Sequence, residues 1–349
     1  MEVDLDALVR NAAALRDRAR VPIIPMIKAD AYGLGATQVA RALESLSPLA
    51  YGVATVNEGA ELREAGITRP ITVFTPLLPS DLQLANALEL TPTLGSREEI
   101  ETWKVYGGPY DLSIDTGMAR AGVPWREIDS VADLTAANPP RGAFTHFHSA
   151  NLGDASVVKQ EARFRTAIAS LPSRPQVLHT DSSAAVVRHD KSEWDAVRPG
   201  IFMYGVGSGE GAAIEPEPVV SIKAPIVELR WVEAGDTVSY EATWTAPDRR
   251  LIATISLGYA DGYPRNAGDR GAGVVRGHRV PIAGRVTMDM TMLDVSDTGA
   301  VVGDEVTMIG RTSEPGEPFD VAGVAAIAGM SPYELLTGLR SRLRRTYRG

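Results

Sequence analysis

The chain has 349 residues, 44% apolar and 23% charged, with 35 Lys and Arg against 44 Asp and Glu for a net charge of −9; this suits one large core or two smaller ones, excludes disorder, collagen and a membrane span, and disfavours nucleic-acid or acidic-membrane partners. With no cysteine, disulfides, iron–sulfur clusters, thiolate zinc sites and cysteine nucleophiles are excluded. The acidic start lacks the basic-then-apolar order of a signal peptide and no apolar run nears the roughly 20 residues that span a bilayer, so a cytoplasmic enzyme is expected.

In chain order, Leu5 to Arg20 carries an apolar stripe at Leu5, Leu8, Val9, Ala12 and Leu15 with arginines between, which predicts a surface helix. A compact apolar run follows at Val21–Ile27, and further predicted strands lie at Leu49–Thr55, Pro70–Thr75, Thr91–Leu94, Tyr110–Ile114, Gly142–Phe147, Gln176–Leu178 and Ile201–Val206. Most are too uniformly apolar to have a wet face. The pieces between them are helical in pattern, as in Thr37–Leu46, Asn57–Ala65 and Val158–Ser170. Strand alternating with helix about eight times is the pattern of a closed parallel (β/α)8 barrel, with a doubly wound open sheet as the structural alternative. The acidic, Gly-rich stretch after Gly205 changes the texture, and short β-like runs separated by Gly, Asp and Pro then predict a mostly β domain that closes on two helical segments, Val321–Ile327 and Ser331–Leu339. The expected domains are residues 1–212 and 213–349.

Barrel chemistry gathers at the C-terminal ends of the strands. Lys28 ends the first apolar run, where partial desolvation lowers a lysine pKa toward nucleophilic or general-base use. Tyr32, Gly33 and Gly35 follow it, a hydroxyl and close-approach backbone suited to phosphate. The fifth rim offers Asp115, Thr116 and Arg120, the last a carboxylate clamp. The sixth offers His146, with His148 at the same parity, so that both face one side of an extended strand. The seventh offers His179, Ser182 and Ser183, and the eighth Arg198, Gly200 and Ile201. Ser183 with Gly200 and Ile201 would form the phosphate cradle that barrels place after strands seven and eight. A lysine, an anion cradle, a histidine and an arginine around one rim fit pyridoxal 5'-phosphate (PLP). In the β domain, polar and aromatic clusters surround Tyr240, Tyr259 and the Met288–Asp289 pair.

With these residues assembled, the chain resembles the alanine racemases, fold-type III PLP enzymes, along nearly its whole length, the Lys28-Ala-Asp-Ala-Tyr-Gly segment looking like the family's PLP-lysine signature. The resemblance implies that Lys28 holds the cofactor and acts as one catalytic base, with Tyr240 as the opposite base. It implies that Tyr32, Ser183, Gly200 and Ile201 bind the phosphate. Arg198 would face the pyridine nitrogen, and His146 would link that arginine to the catalytic tyrosine. Arg120 and Met288 would hold the substrate carboxylate, Tyr259 would guard the substrate entrance and Asp289 would lie beside the site. It implies a homodimer with sites shared between subunits, no metal, and D-alanine supply for peptidoglycan. Three departures stand out: Ser113 replaces a lysine modified by carbon dioxide in many members, the His148–Asp154 loop and Ser182 differ from the usual residues, and the C-terminal segment lacks a tyrosine near Gly338.

Three other readings share some of these features. A broader-specificity racemase of serine or other amino acids would use the same fold. The related fold-type III decarboxylases use a partner-subunit cysteine, which this chain lacks. A metal-dependent barrel hydrolase would use His146, His148 and His179 with an aspartate, but its paired histidines end the first strand, whereas here they end the sixth.

Overall fold

The computed structural model describes residues 1–152, 154–189, 191–310 and 319–349. Seven parallel strands make up the main run of the first sheet in sequential order: β2 (Tyr51–Val53), β3 (Ile71–Val73), β4 (Thr91–Leu94), β5 (Asp111–Asp115), β6 (Gly142–Phe144), β7 (Val177–Ser182) and β8 (Ala196–Arg198), with the two-residue strand Val123–Pro124 added parallel to β5. Their residues are buried almost throughout, as expected of strands covered on both faces. Residues 21–27 close the ring between the first and last of these, with Ile23 bridging Val197 and Met26 bridging Gly52. This segment was expected to be a full strand. Pro22 and Pro25 remove two donors from it, and the ladder shrinks to isolated bridges supported by bonds such as Ile24 N to Val197 O at 2.8 Å and Ile27 N to Gly52 O at 2.9 Å.

The helices of the barrel cover its outside: α1 (Leu5–Ala19), α2 (Ala36–Leu43), α3 (Val56–Glu64), α4 (Pro79–Ala87), α5 (Arg97–Trp103), α6 (Ala132–Ala137) and α7 (Ser156–Ala169). Local chemistry starts them. Asp4 caps α1 by accepting from Ala7 N at 2.8 Å, and Thr55 with Glu58 forms a capping box at α3. The eighth strand ends at Arg198, and Ile201–Tyr204, expected to be strand, is a 3-10 turn whose four residues are all buried. A short run that is apolar all round has no period to separate a buried turn from a buried strand.

The second sheet is built on the 13-residue strand β9 (Val220–Val232). Around it lie β10 (Arg250–Ile255), β11 (Ala272–Val275), β12 (His278–Pro281), β13 (Thr291–Asp294) and β14 (Glu305–Ile309), all paired antiparallel. Two chain ends complete it. The strand β1 (Glu2–Asp4) pairs antiparallel with β9, and the closing strand β15 (Thr346–Arg348) pairs parallel with β1. Residues 2–4 therefore belong to the β sheet although they precede the barrel in sequence. Helices α8 (Val321–Ala328) and α9 (Pro332–Gly338) lie between, and one continuous apolar core runs from the barrel into the β domain. Among the described residues no helix is long and apolar enough to cross a membrane.

Candidate active site

The barrel rim encloses a cavity of about 190 Å³ lined by Lys28, Tyr32, Arg120, His146, Ser183, Arg198, Gly200 and Ile201. Met26, Phe74, Phe144, Ser182, Ala184 and Tyr333 complete the wall. Among the described residues three cationic side chains face this space and no carboxylate does. Such a wall favours an anionic occupant.

Lys28 opens a segment with an uncommon backbone. Ala29, Asp30, Ala31 and Tyr32 all lie in the left-handed region, with φ between 53° and 56°. L-residues lose roughly 1–2 kcal/mol each in that conformation, so contacts elsewhere must hold this turn. Glu58 supplies one, its Oε1 accepting from Ala29 N at 2.7 Å while Oε2 accepts from Ala54 N at 2.6 Å. Burial depresses the Lys28 ammonium below its usual range and the Arg120 cation adds to the effect, with Glu58 opposing.

The end of the cavity at Tyr32, Ser183 and Gly200 is made by close approach. A Cβ on Gly200 would stand 2.9 Å from Tyr32 Oη, so only glycine leaves this corner open. Gly200 N donates to Ser183 Oγ at 2.8 Å, leaving the Ser183 hydroxyl hydrogen available to an anion. The Tyr32 ring stacks on Tyr204 with centroids 4.7 Å apart and lies 6.0 Å from the Tyr333 ring. Ser182 flanks the cradle but makes no capping bond with its side chain.

Arg198, 4% exposed, is the most constrained group of the site. Its Nη1 donates to His179 O at 2.7 Å and its Nη2 to Thr145 O at 2.8 Å and Thr180 O at 2.9 Å. Nη1 also lies 2.7 Å from His179 Nδ1, and Nη2 lies 3.4 Å from His146 Nδ1. A guanidinium only donates. Both Nδ1 atoms therefore accept, which puts the ring hydrogens of His146 and His179 on Nε2. For His179 that nitrogen points to Asp111 Oδ2, 3.8 Å away, and Asp111 is paired with Arg141 through bonds of 3.0 and 2.6 Å. The Arg198 guanidinium rests over Phe144 and Phe74, 5.2 and 5.8 Å from their ring centres. Two histidines turned toward one guanidinium are not arranged as metal ligands.

Both rings are kept neutral. Burial, then the Arg198 cation, pushes His146 down to about 3, and burial pushes His179 down to about 4 against the pull of Asp111. Between those values and the unfolded value near 6.5, the unfolded chain binds protons that the folded chain refuses, so stability is complete above about pH 6.5 and falls as pH falls. At pH 5 the fully buried His179 accounts for a loss of about 2 kcal/mol, and the partly exposed His146 for somewhat less. Urea unfolding of the cofactor-free protein should therefore show a clearly lower midpoint at pH 5 than at pH 8; equal midpoints would contradict the neutral-histidine assignment.

His148 corrects the parity expectation. The strand β6 stops at Phe144, so alternation no longer applies at 146 and 148. His148 is exposed and pairs with Ser149 at 2.6 Å. The loop is held by Gln160 of α7, whose amide reaches His146 O at 3.1 Å and whose oxygen accepts from His148 N at 3.0 Å. Gly153 of that loop lies outside the described residues. Phe74, Phe144 and Tyr333 were not singled out from the sequence. Phe144 shares the strand-end run of His146 and was the one with a readable signal, whereas Tyr333 arrives from α9, some 300 residues after Lys28.

Tyr240, Tyr259, Met288 and Asp289 do not line the cavity. They gather on the β domain surface, where Tyr240 is 67% exposed and Met288 52%. The loop 284–290 ties them together: Ser239 Oγ donates to Arg285 O at 2.7 Å, Tyr259 N to Thr287 O at 3.0 Å and Ala260 N to Met288 O at 2.9 Å. Asp289 pairs with Arg342 at 2.7 Å, which also reaches Asp261. Arg120, at the mouth of the cavity, makes no hydrogen bond among the described residues. One half of the expected machinery thus lies in the barrel, and the other half lies on an exposed face of the same chain.

Comparison with known proteins identifies the class. The family model described as alanine racemase, N-terminal domain, matches residues 3–208, and that described as alanine racemase, C-terminal domain, matches residues 219–347. An alanine racemase of Geobacter sulfurreducens is 37% identical over 369 residues, covering 99% of this chain and 96% of that one. The solved structure of alanine racemase from E. faecalis superposes with a TM-score of 0.93 at 27% identity, covering 99% of this chain and 97% of that one. That from Bartonella henselae, with covalently bound pyridoxal phosphate, gives 0.90 at 28% identity, covering 99% and 98%.

Proposed function

The chain belongs to the alanine racemase family, and from that premise we propose that it interconverts L- and D-alanine with Lys28 of one copy and Tyr240 of a second copy as the two bases. The activity is alanine racemisation with PLP as cofactor. The observation that carries the residue assignment is the cavity itself: one amine, two guanidinium cations and a glycine-lined anion corner with no carboxylate on the wall.

Lys28, Tyr32, Ser183, Gly200 and Ile201 would hold PLP, whose phosphate matches the cationic, hydroxyl-bearing end. When bound, PLP supplies the electron sink that acidifies the α-hydrogen of an amino acid joined to it. The rest falls to the chain. Racemisation removes a proton from one face of Cα and returns one to the other, so two groups of different intrinsic pKa must stand on opposite faces. Lys28 Nζ, whose ammonium form is disfavoured by burial, takes or gives the proton on one face. Tyr240 Oη does so on the other, with His146 Nε2–H between it and Arg198. Arg120, with no hydrogen bond among the described residues, clamps the substrate carboxylate together with Met288 of the second copy, while Tyr259 of that copy guards the entrance and its Asp289 lies beside the site. Ser113 leaves Arg120 without a lysine-derived partner. The domain boundary is placed at residues 212 and 213, within the stretch between Tyr204 and Val220 that has neither strand nor helix. The setting is cytoplasmic, and the product is D-alanine for peptidoglycan.

Arg198 offers a specific test. A permanent cation at the ring nitrogen opposes its protonation, which weakens the electron sink and discourages transamination. Arg198→Glu is expected to slow racemisation about a hundredfold or more while pyruvate release from alanine rises; Arg198→Lys, which keeps a cation for the surrounding carbonyls, loses less. No change in the ratio of pyruvate to racemised product with Arg198→Glu would remove the arginine from the ring nitrogen. Racemisation measured on single L-amino acids in turn tests the substrate: alanine should lead, and a higher kcat/KM on serine or a larger residue would overturn the alanine reading.

A further inference from the structure

We propose that the closing strand of the chain is a strap that sets the position of Lys28, so that Arg345 and Tyr347 are positioning residues for racemisation although neither reaches the cavity. This rests on the reading of Lys28 as the cofactor lysine.

The left-handed turn from Ala29 to Tyr32 lies inside a short helical segment, Lys28–Gly33, whose flanks are tied by Ala31 N donating to Ile27 O and Gly35 N to Asp30 O, each at 2.9 Å, and Leu34 N to Ala31 O at 3.2 Å. Contacts from distant parts of the chain brace it further. Arg345 Nη1 lies 2.6 Å from Asp30 Oδ2, and the other oxygen of Asp30 accepts from Ala36 N at 2.8 Å. One carboxylate thus joins the turn, the start of α2 and the chain's end. Tyr347 Oη donates to Leu34 O at 3.1 Å, and a Cβ on Gly35 would collide with that hydroxyl. Gly35 has φ +99° and no side chain, which suits both the backbone bend and the tyrosine.

The strap is itself anchored. Residues 346–348 pair in parallel register with residues 2–4, Tyr347 opposite Val3. Thr346 N donates to Met1 O at 3.0 Å, and Arg348 pairs with Glu2 at 3.0 Å. Arg345 and Tyr347 therefore start from a sheet of the β domain and end on the barrel turn behind Lys28. Glu58 holds the opposite side of the turn through Ala29 N. These two supports brace the turn that carries Lys28, so loosening one of them frees the direction of the Lys28 side chain.

The test compares the full-length wild type with Arg345→Met, Tyr347→Phe and both together, with Arg345→Lys as the conservative rescue. Hydrogen–deuterium exchange of a peptide covering residues 26–36 reads the turn, and titration of PLP into PLP-free protein, followed by absorbance, reads Lys28. In the double variant, exchange in the turn should quicken about tenfold while a peptide covering β5 stays unchanged, and the PLP concentration for half-loading should rise about tenfold. Arg345→Lys should sit near wild type. Unchanged exchange and loading in the double variant overturn the strap, and so does faster exchange spread evenly over the whole chain, which marks a loss of general stability only. Should the double variant not fold, Tyr347→Phe, which keeps the ring against Gly35 and removes only the hydroxyl, carries the same comparison. Lys28→Ala separates the two claims: cofactor still trapped by borohydride in that variant sinks the cofactor-lysine reading, whereas loss of trapping together with wild-type loading in the strap variants sinks the strap alone.

Discussion

Lys28→Ala is expected to abolish racemisation, by at least about four orders of magnitude, and to remove the absorbance of lysine-bound PLP. Among the described residues Lys28 is the only amine on the cavity wall; the other two cations there are the guanidinium groups of Arg120 and Arg198, which do not serve as nucleophiles in this pH range. Burial and the nearby Arg120 cation favour the free amine, and the left-handed turn fixes where that amine points. The substitution leaves the anion corner at Ser183 and Gly200 untouched, so PLP should still bind weakly and dialyse away. Borohydride treatment followed by peptide mass spectrometry checks this. A reduced PLP adduct at the wild-type level in Lys28→Ala would show that another amine holds the cofactor.

Tyr240→Ala should instead spare the attachment of PLP and remove proton transfer on one face only. Racemisation is expected to fall by about three orders of magnitude or more, the scale of a lost acid–base group, while spectrum and half-loading concentration stay near wild type. The two enantiomers should then part company. In deuterated water, exchange of the α-hydrogen should persist for the enantiomer whose hydrogen faces Lys28 and nearly vanish for the other. Proton nuclear magnetic resonance of L- and D-alanine samples, run separately, reads this directly. Equal exchange of both enantiomers would mean that Tyr240 is not the second base.

The barrel was legible because its strands are apolar on both faces and the intervening segments are helical in pattern, a combination that few other architectures share. Legibility ended where periodicity did. Ile201–Tyr204 is buried on every side, so a 3-10 turn and a strand leave the same mark. His148 sits beyond the end of β6, where alternation has stopped. Nothing in Ala29-Asp-Ala-Tyr announces four left-handed residues, and of the side chains that brace them, Glu58, Arg345 and Tyr347, the last two come from more than 300 positions away. The rim residues are readable because barrel chemistry sits at strand ends, whereas Tyr333 reaches the cavity from α9, where no strand end marks it. Asp111 and Arg141 escaped as well, for a buried ion pair across two strands has no local signature.

In the proposed mechanism a second copy of the chain completes the active site. Within one copy, Tyr240 is exposed on the β domain and is not part of the cavity that holds Lys28. A two-fold dimer would give two equivalent sites, each built from both chains. Mixing inactive Lys28→Ala with inactive Tyr240→Ala under conditions of demonstrated subunit exchange tests it most directly. Random pairing makes about half of the dimers mixed, and each mixed dimer holds one site with both bases intact, so about a quarter of wild-type activity should return. If subunits exchange and no activity returns, the two bases are not supplied by different chains and the shared site is wrong.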